Sequence, residues 1–197
     1  MSQVTLASGS RIRAEMLRNA GVDLDVQPSR VDEAAIKSAL GAEGAGGREV
    51  ADALAEAKAS KVSVKRSGLV IGADSILELD GWLYDKPETV VDARRQLTAL
   101  RARPHRLHSA AVIAEGGAPV WRHVATATLH MRDFSDAFLD HYILAEGEAL
   151  LSTVGCYRLE GLGAQLFDRI EGDYFAILGL PLLPVLDYLR VRGVIES

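Results

Sequence analysis

Two β-type runs, His108–Ala114 and Val120–Met131, are separated only by Glu115-Gly116-Gly117-Ala118-Pro119. A parallel pair needs a crossover of about a dozen residues or more, so these two runs must pair antiparallel. Further β-type runs at Val4–Ala7 and Leu69–Leu79 alternate with helix-type runs at Arg11–Ala20, Glu49–Val62, Val90–Leu100, Asp136–Leu144 and Pro181–Arg192. Such alternation gives an α/β fold. With the antiparallel pair included, the expected architecture is a mixed, partly antiparallel twisted sheet flanked by helices, as one body or as two lobes around a central cleft. No internal repeat is visible, and the only low-complexity patch, Gly41-Ala42-Glu43-Gly44-Ala45-Gly46-Gly47, reads as a mobile loop within a single unit spanning residues 1–197.

Composition narrows the function. With 197 residues, 48% of them hydrophobic, the chain can close a sizeable core. A net charge of −5 argues against a nucleic-acid polymer as partner, because backbone binding needs a basic face, whereas a small anion held by a few local cations stays compatible. Cys156 is the only cysteine, which excludes a disulfide within the chain and a multi-cysteine zinc site and suits a small buried side chain. His105, His108, His123, His130 and His141 are scattered and show no metal-ligand spacing. No secretory n-region and h-region is present, and no apolar run approaches the roughly 20 residues that span a bilayer; the expectation is a cytoplasmic protein with no membrane partner.

The chemistry concentrates in a few places. Leu6-Ala7-Ser8-Gly9-Ser10 leads into a helix bearing Arg11 and Arg13 in its first turn. A helix start already carries partial positive charge and unpaired N–H groups, so the arginines call for a negative partner, such as a bound anion. Gly9 allows close backbone approach and Ser8 and Ser10 offer hydroxyl donors; the plainer alternative is that Ser10 caps the helix. The Walker pattern is absent, so an ATPase-type phosphate cradle is not indicated. Asp74 stands within Leu69–Leu77, an interior-type strand, where a carboxylate needs a metal, a cation or several hydrogen bonds to offset burial. In the helix from Glu49, Val50, Ala53, Leu54 and Ala57 form one stripe, with Glu49, Asp52 and Glu56 on the other side. Lys58 and Lys61 fall on or beside the stripe, where each either snorkels to water or reaches inward to an anion. Asp32-Glu33 opens another helix-type stretch and Lys86-Pro87 follows the turn at Asp80-Gly81, positions that dipole compensation and plain solvation also explain. Gly161, Gly163, Gly172 and Gly179 either bend backbone around a pocket or form ordinary turns.

Taken in order, these segments resemble the Maf family of nucleotide pyrophosphatases over nearly the whole chain. The resemblance is carried by Leu6-Ala7-Ser8-Gly9-Ser10 with Arg13, Val31-Asp32-Glu33, Leu54-Ala55-Glu56-Ala57-Lys58-Ala59, Ile71-Gly72-Ala73-Asp74-Ser75, Asp80-Gly81 to Lys86-Pro87, Glu160-Gly161 and Gly179-Leu180-Pro181-Leu182. It implies a fold related to inosine-triphosphate pyrophosphatase and hydrolysis of a nucleoside triphosphate between its α and β phosphates, to a monophosphate and pyrophosphate. It further implies a divalent cation, Mg²⁺ or Mn²⁺, held by Glu33 and Asp74, with Asp74, Lys58 and Glu33 as the catalytic group. Arg13, Lys58 and Lys86 would clamp the phosphates, and Ser8, Gly9 and Ser10 would cradle one of them. Homodimers are common on this fold, and the apolar run Leu178–Leu189 suits core or interface alike.

Three family positions face the base, carrying Arg, Thr and Gln in a pyrimidine branch and Trp, Gln and Glu in a methylguanine branch. Here they are Ile12, Ser75 and Glu160. Ile12 matches neither branch and Ser75 is nearer the pyrimidine Thr. Glu160 matches the methylguanine branch, and an ionised Glu accepts only, favouring a base edge rich in N–H donors. The set leans towards a purine or modified-purine triphosphate and a role in clearing non-standard nucleotides. Two other readings stand beside it: a nucleotide-binding regulator of cell division with incidental hydrolysis, and an enzyme of the inosine-triphosphate pyrophosphatase type with a different base pocket.

Overall fold

A computed structural model describes residues 3–196; Met1, Ser2 and Ser197, the outer ends of the expected 1–197 unit, lie outside the described residues. The strands are β1 (Val4–Leu6), β2 (Leu24–Val26), β3 (Leu69–Leu79), β4 (Trp82–Tyr84), β5 (Pro104–Glu115), β6 (Ala118–Met131) and β7 (Phe167–Glu171). The helices are α1 (Arg11–Asn19), α2 (Glu33–Ala42), α3 (Gly47–Ser63), α4 (Val90–Leu100), α5 (Asp136–Glu146), α6 (Tyr174–Ile177) and α7 (Leu182–Val191). All the described strands belong to one mixed sheet of order β2-β1-β3-β5-β6-β7, with β4 paired to β3. The fold is therefore α/β, and the antiparallel β5–β6 hairpin turns at Gly116 and Gly117, both at positive φ as a tight hairpin turn requires. No described helix is long and apolar enough to cross a membrane.

Local chemistry explains the helix starts. The Thr89 hydroxyl accepts from the Asp92 N–H while the Asp92 carboxylate accepts from the Thr89 N–H, a reciprocal cap for α4. Asp32 caps α2 through the Ala35 N–H at 3.0 Å. The Gly41–Gly47 patch is shorter as a loop than its composition suggests. Gly41 and Ala42 complete α2, and Gly47 opens α3 with its N–H donating to Glu78 Oε2 at 3.0 Å. Glycine serves there at helix boundaries, where its backbone freedom suits the change of direction.

The register of β3 shapes everything around it. Along one edge it pairs with β5 from Val70 to Glu78. The other edge is shared: β1 covers Leu69 to Ile71, and β4 covers Leu77 to Leu79. Between them, residues 72–76 have no strand on that side. Side chains alternate across the sheet, so Gly72, Asp74 and Ile76 face α3, whereas Ala73 and Ser75 face the layer of α1 and α7. The C-terminal run enters that second layer: Leu180, Leu182, Val185, Leu186 and Leu189 are buried with Leu6, Leu17 and Ile71, which makes it core.

The contact of α3 with β3 is close enough to exclude any side chain at Gly72. A Cβ there would stand 2.1 Å from the Ala55 carbonyl oxygen and 2.6 Å from the Ala59 nitrogen. Both are backbone atoms and cannot swing aside, so Gly72→Ala is expected to destabilise the fold by about 3 kcal/mol or more, read as a lower urea midpoint at unchanged slope.

The far half of the sheet packs on α4, α5 and the segment after them, and His105 is buried there, bonded through Nε2 to the Tyr157 hydroxyl at 3.1 Å. Burial lowers its pKa from 6.5 to about 4. Between those values the unfolded chain binds the proton and the folded chain does not, so this contribution to stability is complete above 6.5 and is lost as the pH falls towards 4. The loss should reach about 3 kcal/mol, and urea titrations from about pH 7 to about pH 4.5 should show a shallower acid limb for His105→Gln.

Candidate active site

Five elements bring charge to the uncovered stretch of β3. Asp74 comes from that stretch, buried and facing α3. Lys58 comes from α3, one residue before Ala59, whose backbone touches the Gly72 position, and its Nζ lies 2.5 Å from Asp74 Oδ1. The same ammonium lies 2.9 Å from Oε1 of Glu33, the first residue of α2. One buried cation thus ties two carboxylates, of which Glu33 is 46% exposed in its side chain and Asp74 only 11%. Lys61, the other lysine beside the stripe, turns outward and donates to the Arg30 carbonyl. The two readings of the helical stripe are thereby divided, Lys58 inward and Lys61 outward.

Arg13 approaches from the opposite face. Its Nη1 donates to the Ala73 carbonyl at 2.9 Å and to Ser8 Oγ at 3.2 Å, Nη2 to Ser75 Oγ at 3.1 Å, and Nε to the Gly179 carbonyl at 2.7 Å. The guanidinium satisfies an edge carbonyl of β3 that no neighbouring strand reaches. Burial lowers its pKa, opposed by the charges of Asp74 and Glu33. Arg11, by contrast, pairs with Glu15 at the surface. Lys86, in the loop after β4, is exposed as a residue, yet partial desolvation of its ammonium lowers its pKa. The fields of Arg13 and Lys58 add to that lowering, while Asp74 and Glu33 oppose it. Arg13, Glu33, Lys58, Asp74 and Lys86 therefore sense one another: three cations around two carboxylates. Of the five, Lys86 alone lines a cavity of about 540 Å³, whose wall is otherwise formed by Tyr84, Pro87 and the α4 residues Asp92, Arg95 and Gln96 among others.

Ser10 caps α1, accepting from the Arg13 N–H at 3.4 Å, so the plainer reading of that serine holds. Ser8 Oγ accepts from the Ser10 N–H at 3.2 Å. A Cβ on Gly9 would meet only Pro28, at 3.7 Å, so nothing inside the fold demands glycine there.

One position, Ser109, escaped the sequence reading, and Gly179, read there as pocket backbone or an ordinary turn, has a definite role. Ser109 sits opposite Ser75 on β5, wholly buried, with the two hydroxyls 3.0 Å apart. A lone serine among Ala110, Ala111 and Val112 was the available signal, of the same kind as Asp74. Gly179 lies at φ +104, and a Cβ would stand 3.2 Å from Arg13 Nε and 3.4 Å from Ser75 Oγ, so its role is to give Arg13 a carbonyl at close range.

Residues 3–192 match the Maf-like protein family. The chain belongs to the Maf family. It is 55% identical over 195 residues to the nucleoside triphosphate pyrophosphatase of Caulobacter vibrioides, covering 99% of this chain and 98% of that one. The protein of the same description from Hyphomonas neptunium is 52% identical over 194 residues, covering 98% of each chain. That from Maricaulis maris is 50% identical over 198 residues, covering both chains completely.

Of the three positions that face the base in the Maf resemblance, Ser75 is joined to the charge cluster through Arg13, and Ile12 is half-buried beside it on α1. Glu160 stands apart on the turn after Tyr157, where Arg158 Nε donates to its Oε1 at 3.3 Å and Arg158 Nη1 reaches Glu146 at 3.5 Å.

The shared ammonium sets a stability ranking. Removing one partner of a buried pair strands the other charge, whereas a half-exposed carboxylate rehydrates. Lys58→Met should cost about 3 kcal/mol and Glu33→Gln less than about 1 kcal/mol in chemical denaturation.

Proposed function

We propose that this Maf protein hydrolyses the α–β anhydride of nucleoside triphosphates, releasing nucleoside monophosphate and pyrophosphate. The observation that carries the reading is the buried Asp74 carboxylate paired with Lys58, with the charges of Arg13 and Lys86 near enough to interact with it, in a chain that matches pyrophosphatases over its whole length. A carboxylate beside the phosphates repels them unless a cation offsets it, and it suits a catalyst because it can also take a proton from water. Lys58 occupies Oδ1 of Asp74, leaving Oδ2 as the acceptor for the attacking water. Lys86 and the Ser8–Ser10 segment receive phosphate oxygens at the start of α1, with the charge of Arg13 behind them. Water adds across the anhydride, its proton passing to Asp74, and catalysis rests on positioning and charge neutralisation.

The donor set fits a hard divalent cation. Two carboxylates already share a single positive charge, and Mg²⁺ typically takes one or two carboxylates with phosphate oxygens and water. No described group of three or more His, Cys, Asp or Glu is placed to hold a metal by itself. Glu33 and Asp74 would hold Mg²⁺ or Mn²⁺, which when bound neutralises phosphate charge and acidifies water.

The substrate class we favour is a purine or modified-purine triphosphate, read by Glu160 as an acceptor, in a cytoplasmic role of clearing non-standard nucleotides. The test is a panel of ordinary and modified triphosphates with pyrophosphate detection. Asp74→Asn should lower pyrophosphate release by about a thousandfold while leaving the protein folded. Chelation should abolish the wild-type activity and Mg²⁺ or Mn²⁺ restore it; orthophosphate as the sole primary product overturns the reading.

A further inference from the structure

We infer that Lys37 and Asp85 form a latch that positions the Lys86 loop: their ion pair ties α2, which carries Glu33, to the segment after β4, which carries Lys86, and it keeps a carboxylate out of the path of an entering phosphate chain. The substrate is that of the pyrophosphatase reading, on which the role in phosphate entry rests. The mechanical role stands on how α2 is held.

Little apolar surface fastens α2 to the protein. None of its residues is buried, and only Ile36, Lys37 and Leu40 are partly covered. Ile36 and Leu40 rest on the apolar cluster that includes Val50, Leu54 and Ala55 of α3. The other two attachments are ionic. Glu33 and Lys37 stand four residues apart with the Glu first, the order in which a helix pairs such residues with each other. Here each is drawn to another element, Glu33 to Lys58 of α3 at 2.9 Å and Lys37 to Asp85. One face of α2 thereby bridges the charge cluster and the Lys86 loop.

Asp85 is held from two sides. Its carboxylate meets Lys37, and its main-chain carbonyl accepts from Gln96 Nε2 of α4 at 2.8 Å. Gln96 is oriented in turn, its Oε1 accepting from the buried Cys156 thiol at 3.3 Å. The residue before Lys86 is therefore anchored to the core through α4 and to α2 through the ion pair. The charges that bear most on the Lys86 ammonium are those of Arg13, Asp74, Lys58 and Glu33. The ammonium thus answers to the cluster, while the neighbouring carboxylate is turned to α2. Left bare one residue from Lys86, that carboxylate would repel a triphosphate; Lys37 neutralises it and holds it aside. The Asp85 side chain is 72% exposed, so the pair adds little to global stability and its effect is on position.

The experiment combines hydrogen exchange of the full chain without nucleotide and steady-state pyrophosphate release. Asp85→Asn should speed exchange of the α2 amides about two- to fivefold, as expected for one lost surface ion pair, while the urea midpoint stays unmoved. Lys37→Met should raise KM about three- to tenfold, more than Asp85→Asn does, because it bares the carboxylate as well as freeing the helix. Adding Asp85→Asn to Lys37→Met should recover part of that loss, a gain that a merely structural contact would not give. The reversed pair, Lys37→Asp with Asp85→Lys, should bring KM to within about threefold of the wild type, with Lys37→Asp alone the weakest of the set. Exchange in α2 that ignores Asp85→Asn, a Lys37→Met/Asp85→Asn variant no better than Lys37→Met, or a reversed pair no better than Lys37→Asp overturns the inference. Should the wild type release no pyrophosphate from any triphosphate, the proposed function falls, and exchange of α2 in Asp85→Asn still decides whether the latch exists.

Discussion

The site depends on how closely α3 lies against β3. Gly72 offers no side chain, and the facing residues of α3, Ala51, Ala55 and Ala59, are small and wholly buried. Backbone therefore meets backbone, and only at that separation does a lysine from α3 end between Asp74 on the strand and Glu33 on α2. Burying an ammonium and a carboxylate is costly, and the attraction between them offsets the cost only when the geometry is good and further bonds satisfy the remaining groups. Here the second carboxylate supplies that further bond. A larger residue at position 72 would push α3 outward and undo both contacts together, so the packing and the charge arrangement are one feature seen at two scales.

A second constraint is the interrupted edge of β3. If β1 had continued past Leu6, it would have covered residues 72–76 and left no place for a ligand beside Asp74. It stops, the chain turns through Ser8–Ser10 into α1, and β4 takes over the edge only from Leu77. The interruption exposes backbone acceptors that must be satisfied. Arg13 satisfies one of them and carries positive charge to the place where strand pairing is missing. The gap, the helix start and the arginine each compensate for another, which is why the feature occurs at the end of a three-residue strand.

Much of this was legible in the order of residues. The short Glu115–Pro119 connection forced an antiparallel pair, the apolar run around Asp74 marked a carboxylate out of place, and the Maf resemblance assembled Arg13, Glu33, Lys58, Asp74 and Lys86 into one group that the fold does bring together. Hydrophobic periodicity found five of the helices and β1, β3, β5 and β6, but did not mark out α2, which buries none of its residues, or β2, β4 and β7, each of five residues or fewer, where the pattern is short. It also read the glycines at 41–47 as loop, where two helix ends claim them. What periodicity cannot see at all is a contact made by main-chain atoms. The carbonyls of Ala73 and Gly179 hold Arg13, yet neither residue type hints at it, and Ser109 matters only through its register opposite Ser75.

The distribution of the network also separates chemistry from recognition. Ser8 is tied to Arg13, and Lys58 to Asp74, by bonds between different elements, so a change at one disturbs its partner. Ser75 belongs to that rigid part in this chain, since its hydroxyl serves Arg13 and Ser109. Glu160 does not. It lies on an exposed turn beyond Tyr157, paired with Arg158. Side chains on turns vary at small structural cost, whereas residues wired into a sheet do not. Under the proposed assignment of base-facing positions, base preference would shift through Ile12 and Glu160 at small structural cost, whereas Ser75 is committed to Arg13 and Ser109.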